Sequence, residues 1–499
     1  MLQHLKPLFK NSAIYALGGI SSKIVGFVLL PFYVDKLSAA EYGMLGTLEV
    51  TAQLLIAVGS LNLFVAFARW YADKELQGKQ ESVFFTWLVT IITVAVLLSV
   101  SVGMSASVLS RLLLDSDSSV RLLRLMAYST GLELIGTVPA TLCRMQSASG
   151  LFTRNLIIRL GTVLPLTILL IVVFDRKVEG IYEAQIMGGI IYLVFFTPYI
   201  RKNIKIHFEK QILVRMFHFS LPFILSSSFA VLLNIADRYS LKFIIGLASV
   251  GIYSLGFKLG NSLKLLIIQP VSLALPPLMF QMMDKPNAKR FYAKLMTYLT
   301  FGIMFFVLAV SLFGQEAVKL LTAADPEYWN AYTIIPFIAF GLVFGMMKDQ
   351  ASYSLQIVKR TKIIASVIIA VSLLNIALNI LLIPLVGTLG AALATLLSQI
   401  LYFVIMLHYA QKYYPVRYEL KKVFLSIGLG AAFCLLAWLI RDCPLTWRLI
   451  IKTILLLSYP AVLYLFRFYD KAELQALRGF WKKWKNPQAW KGNITTKKF

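Results

Sequence analysis

Several basic side chains of this chain lie where a charge is costly. Lys23 stands about halfway along an apolar run that begins near Asn11, and Lys258 and Lys264 interrupt a later run that is rich in glycine. A lysine at the centre of a bilayer costs about 2.5–3.5 kcal/mol even on a lenient insertion scale. Residues of this kind usually face a pathway, a binding site or a buried partner. We therefore interpret these lysines as functional rather than as packing residues.

Polar residues accompany the lysines at helical spacing. The first apolar run carries small and polar side chains on one helix face, opposite a face of Ile, Val, Leu and Phe. A later run carries serines and Asn234 at heptad spacing, followed by Asp237 and Arg238. For the serines and glycines, packing between helices is the stronger interpretation. The candidates for lining a polar cavity are Tyr15, Ser22, Gln53, Ser227 and Asn234.

Lys258 and Lys264 are six residues apart, which is about 600° of helix, so the two side chains point in different directions. We expect Lys258, the deeper of the two, to face the cavity. Acidic residues are rarer, and Glu49, Glu133 and Asp237 are the candidates for coupling transport to an ion. A buried glutamate without a cation can carry a proton, whereas one beside a lysine stays charged and neutralises it. Both interpretations stay open, although Glu133 is better explained as the buried partner of a basic group.

The elements that must position these residues are membrane-spanning helices. Of the 499 residues, 59% are hydrophobic and 14% are charged, with a mean hydropathy of +0.75, whereas a soluble domain is about a quarter charged. Apolar runs of about 20 residues recur along the whole chain, and the short alternating segments of a β-barrel are absent. The sequence predicts an all-α polytopic membrane protein with no cleavable signal peptide.

Enzymatic and metal-dependent classes find no support in the sequence. The three cysteines lack paired or metal-ligand spacing, and the four histidines are scattered. No phosphate-binding loop of the GxxxxGK[ST] kind occurs, so transport powered by ATP on this chain is not expected. We predict no cofactor. The net charge of +26 is explained by membrane topology rather than by nucleic acid.

We predict about fourteen spans. Lys and Arg are enriched in every second connection, beginning with the N-terminal segment, and Arg144, Arg154 and Arg159 are counted with one inner group. This bias places both termini in the cytoplasm. The segment 467–499 mixes tryptophans with lysines and is predicted to be a basic amphipathic helix on the inner leaflet. The spans cover approximately residues 11–34, 43–68, 84–108, 122–146, 153–174, 179–200, 214–236, 249–275, 292–313, 329–350, 361–383, 386–408, 421–440 and 447–466.

An internal repeat relates spans one to six to spans seven to twelve. Three short segments recur in order with a shift of about 208 to 210 residues, among them EYGML (41–45) against VGIYS (250–254). Two parallel six-helix lobes of this kind enclose a central cavity and can rock to open it to either side, which is the architecture of a transporter. The predicted divisions are an N-terminal lobe (1–213), a C-terminal lobe (214–410), helices 13 and 14 (411–466) and the cytoplasmic tail (467–499).

Four segments carry a resemblance to a known family. The chain resembles the bacterial flippases for O-antigen and capsule units, within the superfamily of multidrug, oligosaccharidyl-lipid and polysaccharide exporters. The resemblance covers roughly the first 410 residues, and the fourteen-span count is similar to that of the flippase branches. The segments are NSAIYALGGISSKIVGFVLLPFYVDKLSAAEYGMLGTLEV (11–50), ADRYSLKFIIGLASVGIYSLGFKLG (236–260), EAVKLLTAADPEYWNAYTIIPFIAFG (316–341) and LNIALNILLIPLVGTLGAALATLLSQ (374–399).

The resemblance implies that the substrate is an oligosaccharide on undecaprenyl pyrophosphate, flipped outward across the bacterial cytoplasmic membrane. In the related lipid II flippase, basic residues on the first and eighth spans meet the pyrophosphate, and Lys23 and Lys258 occupy comparable spans here. The residues expected to bind pyrophosphate are therefore Lys23, Lys258, Lys264 and Arg238. Spans 13 and 14 resemble the pair that forms a groove for the lipid tail. Membrane lipids, a polysaccharide polymerase and a chain-length regulator are the implied partners, without nucleic acid.

Three other functions compete with this one. A cation-coupled drug exporter would use an acidic cavity, with Glu49 and Glu133 as its residues, and a basic cavity disfavours it. A lipid II flippase would share the phosphate chemistry but would be required for growth. A non-transporting scaffold for a glycan assembly complex would leave the charges in the cavity without a role.

Overall fold

The computed structural model describes residues 26–71, 78–322, 325–470 and 475. Within these ranges the chain is helical and contains no β-strand, which confirms the predicted all-α class. Tyr15, Ser22 and Lys23 lie outside the described residues, as does most of the predicted tail helix.

Eight α-helices form the first part of the described chain. The helix α2 begins at a capping box. The Ser38 hydroxyl accepts a hydrogen bond from the Glu41 backbone amide, and the Glu41 carboxylate accepts one from the Ser38 backbone amide. A π-helical turn, Leu169–Val173, extends α7. The helices are α1 (Leu30–Lys36), α2 (Ala39–Gly59), α3 (Leu63–Tyr71), α4 (Gln80–Met104), α5 (Ala106–Leu114), α6 (Val120–Met145), α7 (Ser149–Ile168) and α8 (Lys177–Lys202).

Ten further α-helices follow. A π-helical turn, Lys264–Ile268, joins α10 to α11, and a 3-10 helix, Pro326–Thr333, precedes α14. Gly387 has a φ of 62° and lets α16 begin directly after α15. The helices are α9 (Lys210–Ile244), α10 (Leu247–Leu263), α11 (Gln269–Met282), α12 (Ala288–Leu312), α13 (Gly314–Leu321), α14 (Ile335–Ile357), α15 (Thr361–Val386), α16 (Thr388–Tyr413), α17 (Leu420–Leu439) and α18 (Leu445–Leu465).

Eleven helices in the described ranges are long and apolar enough to cross a membrane, so the chain is a multi-pass membrane protein. The helix α6 has 26 residues and is about 39 Å long, but its charged side chains lower its hydropathy. The π-helical turn interrupts the helical segment 247–282, and the first predicted span lies mostly outside the described residues. The count of fourteen spans stays a prediction.

The chain divides into two compact units. The first comprises Met1–Tyr292 and Gly314–Val416, and the second comprises Ala293–Phe313 and Arg417–Phe499. In the second unit, the ring of Tyr459 stacks on Phe301 with centroids 6.0 Å apart, and its hydroxyl forms a 2.5 Å hydrogen bond with Ser426. The predicted division into two lobes, two further helices and a tail stays a prediction.

Within the first unit, α2 and α10 pack closely along their first turns and run in the same direction. Gly43 lies against Leu247 and Gly251, and Gly46 lies against Val250 and Ser254. The missing side chains of Gly43 and Gly251 permit a backbone-to-backbone approach that a Cβ atom would prevent. This contact sets the position of the next turns of both helices, which carry Glu49 and Lys258.

Candidate functional site

Lys258 lies between two elements of the first unit. Its Nζ is 3.0 Å from Oε1 of Glu49, so the ion pair joins α10 to α2. The ammonium also lies 5.2 Å from the ring centroid of Tyr42 and 5.9 Å from that of Tyr33. Aromatic faces stabilise a cation at these distances. A carboxylate and two rings therefore hold the lysine in place while its side chain stays 22% exposed.

The aromatic residues around Lys258 are themselves fixed by packing. Tyr42 makes an edge contact with Tyr328 at 6.1 Å and a tilted contact with Tyr33 at 6.5 Å. The Tyr328 hydroxyl donates to the backbone carbonyl of Leu37 at 2.9 Å, in the turn between α1 and α2. The 3-10 helix, α1 and α2 are thereby tied together beside the ion pair.

A second charged pair lies on α9. Asp237 is buried, accepts a hydrogen bond from the Tyr253 hydroxyl, and accepts the Arg238 amide at 2.8 Å. The Arg238 guanidinium lies 4.2 Å from the ring centroid of Phe257 and donates to the Asn234 carbonyl at 3.2 Å. The Asp237 carboxylate is thus already hydrogen-bonded within the fold, while Arg238 places a second cation on the helix next to α10.

The other predicted site residues are distributed along the same helices. Ser227 accepts a 2.6 Å hydrogen bond from the Asn62 amide, which is a packing contact between α9 and the start of α3. The Asn234 side chain donates to its own helix, at the Ala230 carbonyl. Gln53 is exposed one turn beyond Glu49, and Lys264 is exposed in the π-helical turn after α10. The structure therefore brings Lys258 together with Glu49, and Lys264 follows six residues later in the chain.

Glu133 lies beside a cation that the sequence interpretation missed. Its carboxylate is 3.9 Å from the guanidinium of Arg159 on α7, and the guanidinium lies 5.5 Å from the ring centroid of Tyr192. Arg159 was counted with cytoplasmic charges, but it lies ten residues inside α7, about 15 Å from the helix start. The argument that singled out Lys23 applies equally to this arginine, because both interrupt an apolar run.

Tyr182 on α8 has a buried side chain, and its hydroxyl has no hydrogen-bond partner among the described residues. The described part of the first unit holds two charged pairs, Glu49 with Lys258 on α2 and α10, and Glu133 with Arg159 on α6 and α7. Such an arrangement can bind an anion at Lys258 and polar groups beside it.

Solved structures similar to this chain are membrane transporters. The lipid II flippase MurJ in an inward closed conformation has a TM-score of 0.71 at 14% identity, and the match covers 91% of this chain and 100% of that one. An inward-facing multidrug resistance MATE family transporter of the MOP superfamily has a TM-score of 0.66 at 11% identity, with 78% of this chain and 94% of that one covered. At such identities the likeness defines the fold, which is a transporter fold.

The sequence comparison identifies the family. Residues 8–283 match the polysaccharide biosynthesis protein family, and the chain belongs to that family. The identification made from the sequence segments is thereby confirmed. A curated relative, Lsg locus putative protein 1 of Haemophilus influenzae, is 39% identical over 64 residues, which are 13% of this chain and 16% of that protein. The match thus spans about a sixth of the relative's length.

Proposed function

We propose that this protein is a flippase for an oligosaccharide linked to undecaprenyl pyrophosphate. It moves this lipid from the inner to the outer face of the cytoplasmic membrane by alternating access, for the synthesis of a surface polysaccharide. Family membership and the transporter fold support this proposal. The observation that carries it is the position of Lys258, a partly exposed lysine on a helix of the fold, held at the junction of α2 and α10.

The substrate and Glu49 compete for the same lysine. A pyrophosphate carries several anionic oxygens that accept charge-assisted hydrogen bonds, and a lysine meets it as a point charge. Arg238 lies on the neighbouring helix, and we assign Lys23 and Lys264 to the same anion-binding path. In the resting state Glu49 supplies the counter-charge that Lys258 requires inside the membrane. Binding of pyrophosphate to Lys258 then sets the Glu49 carboxylate free.

This exchange supplies a route to alternating access. The Glu49–Lys258 ion pair joins α2 to α10 directly beyond the close contact of Gly43 with Gly251. When pyrophosphate replaces Glu49, the two helices lose one of the bonds that hold them together, and they can separate. A freed Glu49 can then take up a proton, which makes it the first candidate for ion coupling, ahead of Glu133 and Asp237.

The cations that surround Glu49 and Glu133 weaken the drug-exporter alternative. Glu49 lies beside Lys258, and Glu133 lies beside Arg159, so neither carboxylate presents an uncompensated negative charge to a cationic drug. We assign the protein to the bacterial cytoplasmic membrane with both termini in the cytoplasm. Its partners in this role are the lipid-linked oligosaccharide, the surrounding lipids, a polymerase and a chain-length regulator.

Reconstituted transport tests the proposal. Purified protein is placed in liposomes that contain fluorescent undecaprenyl pyrophosphate linked to a neutral trisaccharide, and a membrane-impermeant quencher reports the lipid that has crossed. We expect Lys258→Gln to lower the flipping rate by about tenfold or more, since a charge-assisted contact is lost. Lys202→Gln, at the exposed end of α8, is the matched control and should flip at the wild-type rate.

The other outcomes are equally informative. Equal rates for wild-type protein and Lys258→Gln would remove Lys258 from the site. A wild-type protein that flips lipid II, but not the trisaccharide lipid, would be a lipid II flippase. Export of cationic dyes without movement of either lipid would identify a drug exporter.

A further inference from the structure

A polar cluster on α6, α7 and α8 lies apart from Lys258. We call it the α7 polar cluster, and it consists of Glu133, Asn155, Arg159 and Tyr192. The Arg159 guanidinium lies over the Tyr192 ring, and that ring packs against Gly136 of α6. Asn155, one turn before Arg159, is fully buried, and its side-chain nitrogen donates to no acceptor in the described ranges. A buried amide without an acceptor is costly, which indicates a polar ligand or water at this position.

The cluster faces the interior of the helix bundle. Glu133 stands at the middle of α6, and the residues on the opposite side of that helix include the exposed Tyr128. On α7, the exposed Ile157 lies about 160° around the helix from Arg159. These outward residues suit the contact with lipid, so the charged residues point the other way. The Glu133 side chain is nevertheless 49% exposed, which leaves it accessible to a ligand inside the bundle.

The geometry of the pair leaves hydrogen-bonding capacity unused. At 3.9 Å the Glu133–Arg159 contact is longer than a hydrogen bond, so carboxylate oxygens and guanidinium N–H groups remain available to a ligand. Arg159 offers a planar fork of donors and Glu133 offers two acceptors, while the amide nitrogen of Asn155 is without an acceptor one turn earlier on the same face of α7. Neighbouring hydroxyl groups of a sugar ring both donate and accept, and they match this combination.

The net charge of the cluster selects among sugars. Glu133 and Arg159 sum to zero, so the pair offers no net electrostatic attraction to an anionic or a cationic sugar, and recognition depends on hydrogen bonds to hydroxyl groups. We infer that the α7 polar cluster binds a neutral sugar ring of the cargo and contributes to its selection. This inference rests on the proposed function. The helix α6, which carries Glu133, packs against α2, which carries Glu49, so the cluster and the proposed phosphate site lie on neighbouring helices.

A binding comparison with two lipids tests the inference. Dissociation constants are measured in detergent for undecaprenyl pyrophosphate linked to a neutral trisaccharide and for the same lipid without sugar. We expect Arg159→Gln to raise the dissociation constant of the sugar-linked lipid by about tenfold to a hundredfold, the range for a lost hydrogen bond to a charged group. The dissociation constant of the sugar-free lipid should change less than about twofold. Arg159→Lys keeps the charge but loses the fork, so it should give an intermediate loss.

Controls separate this inference from folding and from the proposed function. Arg124→Gln, an exposed arginine of α6, should leave both constants unchanged, and melting temperatures verify that each variant is folded. An equal loss for both lipids in Arg159→Gln would assign Arg159 to phosphate binding or to structure. Unchanged dissociation constants for both lipids in Arg159→Gln would exclude a sugar contact. A wild-type protein that binds neither lipid would instead refute the proposed function.

Discussion

Gly43 of α2 and Gly251 of α10 contact each other, and each lies against the backbone of the other helix. A Cβ atom added to Gly43 would overlap the backbone carbonyl of Leu247, and one added to Gly251 would overlap the backbone carbonyl of Ala39. The two contacts mirror each other, because each glycine lies against the residue one turn before the other glycine. The same two helices carry the Glu49–Lys258 ion pair about two turns further on, so helix packing and candidate site are parts of one interface.

Gly43→Ala should separate the first turns of α2 and α10, because the obstacle is backbone and cannot rotate away. Gly251→Ala should have the same effect, since its environment is equivalent. The measurement is a spin-label distance between residues 36 and 245, near the starts of the two helices, and we expect it to lengthen in both variants. Gly103→Ala is the control, because its added Cβ meets no atom within 4 Å in the described structure. An unchanged distance in both glycine variants would contradict the close-packing argument.

The Glu49–Lys258 pair should show thermodynamic coupling. Removing one partner leaves a charge without its counter-ion in a poorly solvated place, so Glu49→Gln and Lys258→Gln should each lower the free energy of unfolding. The double variant should lose less than the sum, with a coupling of about 0.5–3 kcal/mol. Denaturant unfolding in detergent followed by tryptophan fluorescence measures all four proteins.

An exposed ion pair provides the comparison for this double-mutant cycle. Arg111 and Asp117 form an ion pair with both side chains 73% exposed, and such surface pairs contribute about 0–1 kcal/mol. The cycle on this pair should give a coupling near zero. If the two cycles gave equal couplings, Lys258 would be no better shielded than a surface lysine.

The sequence predicted Lys258 because a lysine inside an apolar run stands out by its cost alone. It left the role of Glu49 open, since the partner of Glu49 is 209 residues away and a register between helices is set by packing that no single segment encodes. Arg159 was missed because it follows Arg154 closely and was grouped with loop charges. Counting residues from the start of the apolar run would have placed it inside the membrane.

The fold class followed from composition and the spacing of apolar runs, whereas several local features depend on contacts between distant elements. The Tyr253 hydroxyl donates a hydrogen bond to the Asp237 carboxylate. Asp237, a candidate for ion coupling in the sequence, is therefore already hydrogen-bonded in the fold. The Ser227 hydroxyl similarly accepts a hydrogen bond from the Asn62 side chain. Polar residues on one helix face therefore indicate that a helix is buried, but tertiary contacts decide which of them remain free for a ligand.

Asp470 should stabilise the second unit at neutral pH and lose this effect in acid. Hydrogen bonds from Lys294 and Lys422 lower the pKa of the Asp470 carboxyl to about 2. Because the folded pKa lies below the ordinary value of 3.8, the contribution is complete above about pH 4 and disappears as the pH falls toward 2. Asp470→Asn should lower the melting temperature at pH 7 by a few degrees at most, and the difference from wild type should shrink between pH 4 and 2.

The matched control for this pH series is Asp442→Asn. Asp442 belongs to the same unit, but its side chain is 87% exposed and pairs with the neighbouring Arg441. Its replacement should change the melting temperature little at any pH. A constant difference between wild type and Asp470→Asn from pH 7 to pH 2 would show that Asp470 acts through packing and not through its charge.

Asn62 should contribute to stability in two separable ways. Its backbone has a φ of 49°, a left-handed conformation that asparagine and glycine tolerate better than alanine. Its side-chain amide donates to the Phe223 carbonyl at 2.8 Å and to the Ser227 hydroxyl at 2.6 Å. Asn62→Gly keeps the backbone conformation and loses the hydrogen bonds, whereas Asn62→Ala loses the bonds and adds strain.

We therefore expect the order of stability to be wild type, then Asn62→Gly, then Asn62→Ala. The first step should cost about 1–3 kcal/mol because two hydrogen bonds of about 0.5–1.5 kcal/mol each are lost, and the second should add about 1 kcal/mol of backbone strain. Denaturant unfolding measures both steps. If alanine and glycine were equally stable at this position, the left-handed backbone would cost nothing, and if glycine matched asparagine, the contacts with α9 would contribute nothing. Only the second result would remove Asn62 as the residue that joins the segment between α2 and α3 to the helix that carries Asp237 and Arg238.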